Sequence, residues 1–148
     1  MLRGWAVVLE LELELKKKRQ LKARRIGEDG ARYRKHFLHL DGLGIRELLL
    51  DGDVFYILAG PTMDLDGPVG VYRWHGPPGR KGSTVTPRSG VEWLMDLPFG
   101  TGEDHAEGLV LLPGGGKDRL VVVYDSPSAD RLHDSTDIDA DVFDFEAK

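Results

Sequence analysis

The chain of 148 residues contains no cysteine, which excludes a disulfide framework, a thiolate nucleophile and any Cys-ligated zinc or iron-sulfur site. It also lacks a long hydrophobic run near its start. Met-Leu-Arg-Gly-Trp leads into Ala6 to Leu9, after which glutamates alternate with leucines, so there is neither a signal-peptide core nor a membrane span. The expected compartment is the cytoplasm, with no membrane partner. The fold class expected is all-β.

What is present suffices for a folded domain. Apolar residues make up 41% of the chain and charged residues 30%, too apolar for a disordered polymer. A chain of this length can bury about two-thirds of its unfolded surface. The net charge of −5 conceals an asymmetry: residues 16–35 hold ten Lys or Arg against Glu28 and Asp29, a local +8, leaving the other 128 residues at −13. From Asp125 to Glu146 eight acids face Arg131 alone. Opposed blocks of this kind attract within or between chains, weakly where salt screens them.

Val7 to Leu15 alternates leucine with glutamate, the pattern of a strand with one wet face. A helix would scatter these leucines around its circumference. Residues 16–32, charged and carrying the Asp29-Gly30 pair, are expected to form a long exposed hairpin loop, and Tyr33 to Leu40 the returning strand. Ile45 to Leu50 and Val54 to Ala59 flank Asp51-Gly52, a strong hairpin signal. Val69 to Trp74 and Val91 to Leu97 add two strands around the Gly/Pro-rich loop His75 to Gly90, completing a four-stranded meander. Glu107 to Leu112, Leu120 to Tyr124 and Asp139 to Phe145 repeat its first three strands.

Gly44-Ile45 and Gly108-Leu109 fall in matching places, 64 residues apart, and four-stranded units at periods of this order mark β-propeller blades. The expected organisation is one propeller-like domain of antiparallel four-stranded meanders: a partial blade over 1–42, a full blade over 43–98 and a partial blade over 99–148. Nine strands, two, four and three in the successive units, leave open sheet edges at both ends. The chain looks cut from a larger repeat, and the expected partner is a second copy, a dimer supplying six blade-like units.

Leu2 to Leu11, Leu58 to Pro68, Asp104 to Leu109 and Val121 to Pro127 together resemble the C-terminal half of a bacterial family of propeller-like proteins known only as a domain of unknown function. The resemblance implies the propeller fold and longer members with further blades before this portion. It is also distantly similar to esterase-like phytase propellers, through the Glu-Gly element opening an inner strand and the Asp-rich element ending the next. That similarity implies, as the alternative to a non-catalytic module, a metal-dependent phosphoesterase-like hydrolase.

The candidate site residues follow from that placement. Glu107 opens an inferred inner strand just after Asp104 and His105, and these three are the candidate ligands for a divalent cation that would activate water. The structural reading is that Glu107 ties down loop N–H groups and Gly108 permits a tight turn. Arg46, Asp64, Asp66 and Asp125 complete a polar rim at one end of the ring, with backbone capping as the plainer role of the aspartates. No other cofactor is expected. His105-Ala106-Glu107 lacks the cysteines a zinc deaminase requires. Asp137, Asp139 and Asp141 lack the EF-hand glycine and glutamate and are expected on a wet strand face. His36 and His39 fall on opposite strand faces, and Ser126 has no nucleophile elbow. The basic segment carries one aromatic, Tyr33, and is expected as a solvated loop or a partner of the acidic tail, not as a nucleic-acid site. The three tryptophans are expected in blade packing.

Overall fold

A computed structural model describes residues 4–62, 65–77, 82–112, 118–134 and 136–145. It is all-β, with strands β1 (Trp5–Glu10), β2 (Leu13–Lys16), β3 (Gln20–Ala23), β4 (Arg34–His39), β5 (Gly44–Asp51), β6 (Val54–Gly60), β7 (Val69–Trp74), β8 (Thr84–Thr86), β9 (Glu92–Leu97), β10 (His105–Leu112), β11 (Asp118–Asp125) and β12 (Asp141–Phe145). Among the described residues no helix is long and apolar enough to cross a membrane.

Three sheets stack in chain order. The first runs β1-β4-β8, the second β5-β6-β7-β9 and the third β10-β11-β12, while β2 and β3 form a separate two-stranded arm. The second sheet is buried on both faces because its central strands carry apolar residues at odd and even positions alike. Ile57, Ala59, Tyr72 and Trp74 meet Ala6, Leu38 and Leu40 of the first sheet side. Tyr56, Leu58, Val69 and Val71 meet Leu109, Leu120, Val122 and Phe145 of the third. A strand buried on both faces is a continuous hydrophobic run, and β7 is buried at every position.

The meander expected over 43–98 is present, and its β5-β6 connection is Gly52-Asp53, one residue on from the Asp51-Gly52 pair. Gly52, at φ +57, takes the first loop position, where a type II′ hairpin favours glycine. The loop expected over His75 to Gly90 contains β8, which leaves its own meander and pairs in parallel with β4, Phe37 opposite Val85. This is the one parallel pairing among the described strands.

Two further expectations are corrected. Val7 to Leu15 is two strands broken at Leu11-Glu12, and the basic loop folds back as the β2-β3 hairpin, with Leu15 opposite Leu21. The glutamate face is also not the wet face throughout. In β1 the row Ala6, Val8 and Glu10 turns toward the second sheet, while Leu9 is 55% exposed and Leu15 on the arm 69%. Glu10, 40% exposed at the edge of this face, is held there by its register partner Arg34 and by His36, which lie at 2.9 and 3.1 Å. Arg24 likewise pairs with Glu12, and Lys16 with Glu14, so these basic side chains pair with the arm's own glutamates.

Candidate functional site

Two bulges position the rim. β5 pairs Ile45 with Ala59 and Glu47 with Leu58, leaving Arg46 as the extra residue. β10 pairs Ala106 with Tyr124 and Gly108 with Val123, leaving Glu107. A bulge re-aims its extra side chain away from the alternation of the strand. Here the two bulges occupy matching places in the first strands of adjacent sheets, and the re-aimed Arg46 and Glu107 form an ion pair. Arg46 also donates to the Pro61 carbonyl. A cleft of about 270 Å³, lined by Gly44, Ile45, Arg46, Pro61, Thr62 and Glu107, opens at this pair. Gly108 is needed for space rather than for turning: a Cβ there would lie 2.5 Å from Val123 Cγ2.

The other candidates lie nearby in separate networks. Asp66 accepts a hydrogen bond from the Gly102 N–H at 2.8 Å and lies 3.2 Å from His105 Nε2. The Gly102 N–H first, and His105 after it, hold the Asp66 carboxyl below its ordinary value. Asp125, opposite His105 in the β10-β11 register, accepts from the Ser126 N–H at 2.9 Å, the capping role expected of a turn aspartate. Asp104 and Ser126 both have positive φ, 54° and 49°, and the Asp104 N–H donates to the Ser126 carbonyl at 2.8 Å. Asp64 lies outside the described residues.

Asp104 belongs to a network with no local signature in the sequence. Its Oδ1 accepts from the Ser128 N–H at 2.8 Å and from Arg131 Nε at 2.9 Å. Arg131 donates through both terminal nitrogens to Asp141, at 3.0 and 2.8 Å, and stacks 3.9 Å over the Tyr124 ring. The Tyr124 hydroxyl donates to Asp141 Oδ2 at 2.6 Å. Burial pushes the Asp104 carboxyl up, but the Ser128 N–H and the Arg131 charge outweigh it and leave it lowered. Hydrogen bonding from Arg131 holds Asp141 low as well. Asp141, expected on a wet strand face, faces this network. His36, dismissed as a ligand in the sequence, is 2% exposed and lies 2.9 Å from Thr84 Oγ1 and 3.1 Å from Glu10 Oε2.

Asp104, His105 and Glu107 thus finish in three different interactions, with Arg131, Asp66 and Arg46 respectively. Among the described residues no group of three His, Asp or Glu is arranged to hold a metal ion. Arg46→Glu and Glu107→Arg are each expected to lower stability, by about 1 kcal/mol given the partial exposure of Glu107, and the exchanged pair to recover most of it. Chemical denaturation of the four proteins measures the coupling; strictly additive losses would dissolve the pair.

The arrangement defines a class: an all-β protein of stacked, mostly antiparallel sheets, two of which meet through bulged, charged residues of their first strands. Within that class the chain belongs to the family described as Protein of unknown function (DUF3616), whose profile matches residues 1–141. No curated protein and no solved structure matches it.

Proposed function

We propose that the chain is a self-associating β-propeller-like module, a structural and binding unit in which Arg46 and Glu107 line the inner rim. The observation that carries this reading is the pair of uncovered apolar faces at the two ends of the stack. On the first sheet Val7, Phe37 and Val85 form a row across three strands, with Val7 and Val85 exposed. On the third, Val110, Val121 and Val142 form a second row, with Val110 and Val142 exposed. Contiguous exposed apolar rows mark interaction surfaces, and inside the chain equivalent faces are covered by the next sheet. The alternative, a metal-dependent phosphoesterase-like hydrolase, draws on Asp104, His105 and Glu107, and each of these already has its own partner.

Light scattering is expected to give twice the 16.5 kDa chain mass at micromolar concentration. Leu9→Lys, at an exposed position, is expected to shift the protein to monomer without changing its far-UV spectrum. A native chain that stays monomeric would overturn the reading. So would metal-dependent phosphoester turnover that disappears in Glu107→Gln.

A further inference from the structure

We propose that the β2-β3 arm is a membrane-docking hairpin: its leucine face enters the headgroup region of an anionic bilayer, and its excess of basic side chains holds it there. The arm is inserted between β1 and β4 of one sheet and is a surface separate from the apolar rows of the self-association reading.

The pairing register sorts the arm into two faces. Leu13 stands opposite Ala23 and Leu15 opposite Leu21 on one, Glu14 opposite Lys22 and Lys16 opposite Gln20 on the other, since directly opposed residues share a face. Cross-strand packing is the plain structural role of the leucines, yet Leu13, Leu15 and Leu21 stay 53%, 69% and 66% exposed. Neither strand pairs with any other described strand, and a lone two-stranded hairpin is marginal in water. Its root is fixed all the same. The Arg24 N–H donates to the Glu12 carbonyl at 2.8 Å, and Arg34 joins the Ile26 carbonyl to Glu10 of β1, both at 2.9 Å.

Size and charge choose the partner. Four residues per strand at about 3.3 Å each, on two strands about 4.8 Å apart, give a face on the order of 100 Å². A stable protein interface takes about 800 Å² from each side, so neither a second copy nor another protein gains enough from this face. A bilayer requires no matching surface, and binding to it sums apolar burial and attraction to anionic lipid. Residues 11–25 hold seven Lys or Arg against Glu12 and Glu14. Arg24 pairs with Glu12 and Lys16 with Glu14, which uses both acids and leaves an excess of five positive charges. Lys17, Arg19, Lys22 and Arg25 are exposed and join no ion pair with a described residue. Each Lys or Arg beside an anionic surface strengthens binding about fivefold. Nucleic acid would take the cations but offers the leucines nothing, because its binding surfaces use charge and aromatic stacking. The expectation of no membrane partner rested on the lack of a spanning run, and a docking hairpin needs none.

The test is sedimentation with vesicles of phosphatidylcholine alone or with about one-third phosphatidylserine. The native chain is expected to bind the mixed vesicles at least tenfold more tightly than the neutral ones. The double variant Lys17→Gln, Lys22→Gln keeps the leucine pair intact and is expected to bind them about twenty-five-fold more weakly. Leu132→Glu, at a leucine 50% exposed outside the arm, is expected to bind as the native chain does. Because the chain has no cysteine, a polarity-sensitive dye reads the face directly. On mixed vesicles its emission is expected to shift to the blue at Leu21→Cys and to stay at the aqueous wavelength at Gln20→Cys, on the opposite face. No binding to the mixed vesicles would overturn the proposal, as would an unshifted dye at Leu21→Cys or an equal loss in Leu132→Glu. Duplex DNA bound more tightly than the vesicles, with no effect of Leu15→Glu, would assign the arm to nucleic acid and overturn it as well. A drop in mass by light scattering on Leu15→Glu without lipid would give the arm to a second copy, so that self-association stands and the lipid proposal falls.

Discussion

Trp74→Ala is expected to cost about 3–5 kcal/mol of unfolding free energy, the range for truncating a fully buried tryptophan. A domain of this size has about 5–15 kcal/mol in total, so the variant should unfold at a small fraction of the denaturant the native chain withstands. Trp74 is 2% exposed and packs against Phe55, ring centroids 5.1 Å apart, and His36, 6.0 Å away. It therefore joins the second sheet to the first. Its removal leaves a cavity between two sheets whose backbones are pinned by β8, so the gap cannot close by collapse. Urea titration followed by circular dichroism measures the loss. A cost below about 1 kcal/mol would mean that the contact between these sheets contributes little to the core.

The second large effect is at Arg131. Arg131→Met keeps much of the side-chain volume over Tyr124 but strands the carboxylates of Asp104 and Asp141, which are 20% and 31% exposed. Breaking a buried pair from one side costs about 3–5 kcal/mol, and partial solvation brings the expectation here to about 2–3 kcal/mol. Asp104 and Asp141 have folded-state values lowered from the ordinary 3.8. Their contribution is thus complete above that ordinary value and is lost as pH falls through the lowered ones. In Arg131→Met the lowering due to Arg131 is gone, while the Ser128 N–H still holds Asp104 and the Tyr124 hydroxyl still holds Asp141, so acid removes less than it does from the native chain. The gap between the two proteins is expected to be widest near neutrality and to narrow below the ordinary carboxyl value. Denaturation midpoints at neutral and acid pH check this; a gap independent of pH would assign the loss to packing alone. At high pH the opposite sign applies to Tyr124, whose hydroxyl is raised by burial and by Asp141. Its contribution is present below the ordinary value of 10 and is lost above it.

The strands of the second meander were legible because their apolar runs end at glycine and proline: β7 coincides with the expected Val69 to Trp74. The arm was legible only in part. Alternation separates leucines from glutamates but does not say which row faces the core, and the answer came from across the sheet, where Arg34 and His36 satisfy Glu10. β8 was illegible because a three-residue strand has no measurable period and its partner belongs to another meander. At the rim, the expected position of Arg46 and Glu107 did not reveal that they meet, since a bulge shifts the alternation by a single residue in each strand. The Arg131 network joins residues ten and twenty-seven positions apart through tertiary geometry, and nothing at those spacings marks it.

The parallel pairing of β8 with β4 separates the repeat as written in the sequence from the unit as built in space. Thr84 to Thr86 are encoded in the second meander and hydrogen-bonded in the first sheet, with Thr84 at His36. The connection works like a clasp: the first sheet cannot peel from the second without unfastening it. Loosening the β7-β9 connection of the second sheet would therefore loosen the edge of the first as well.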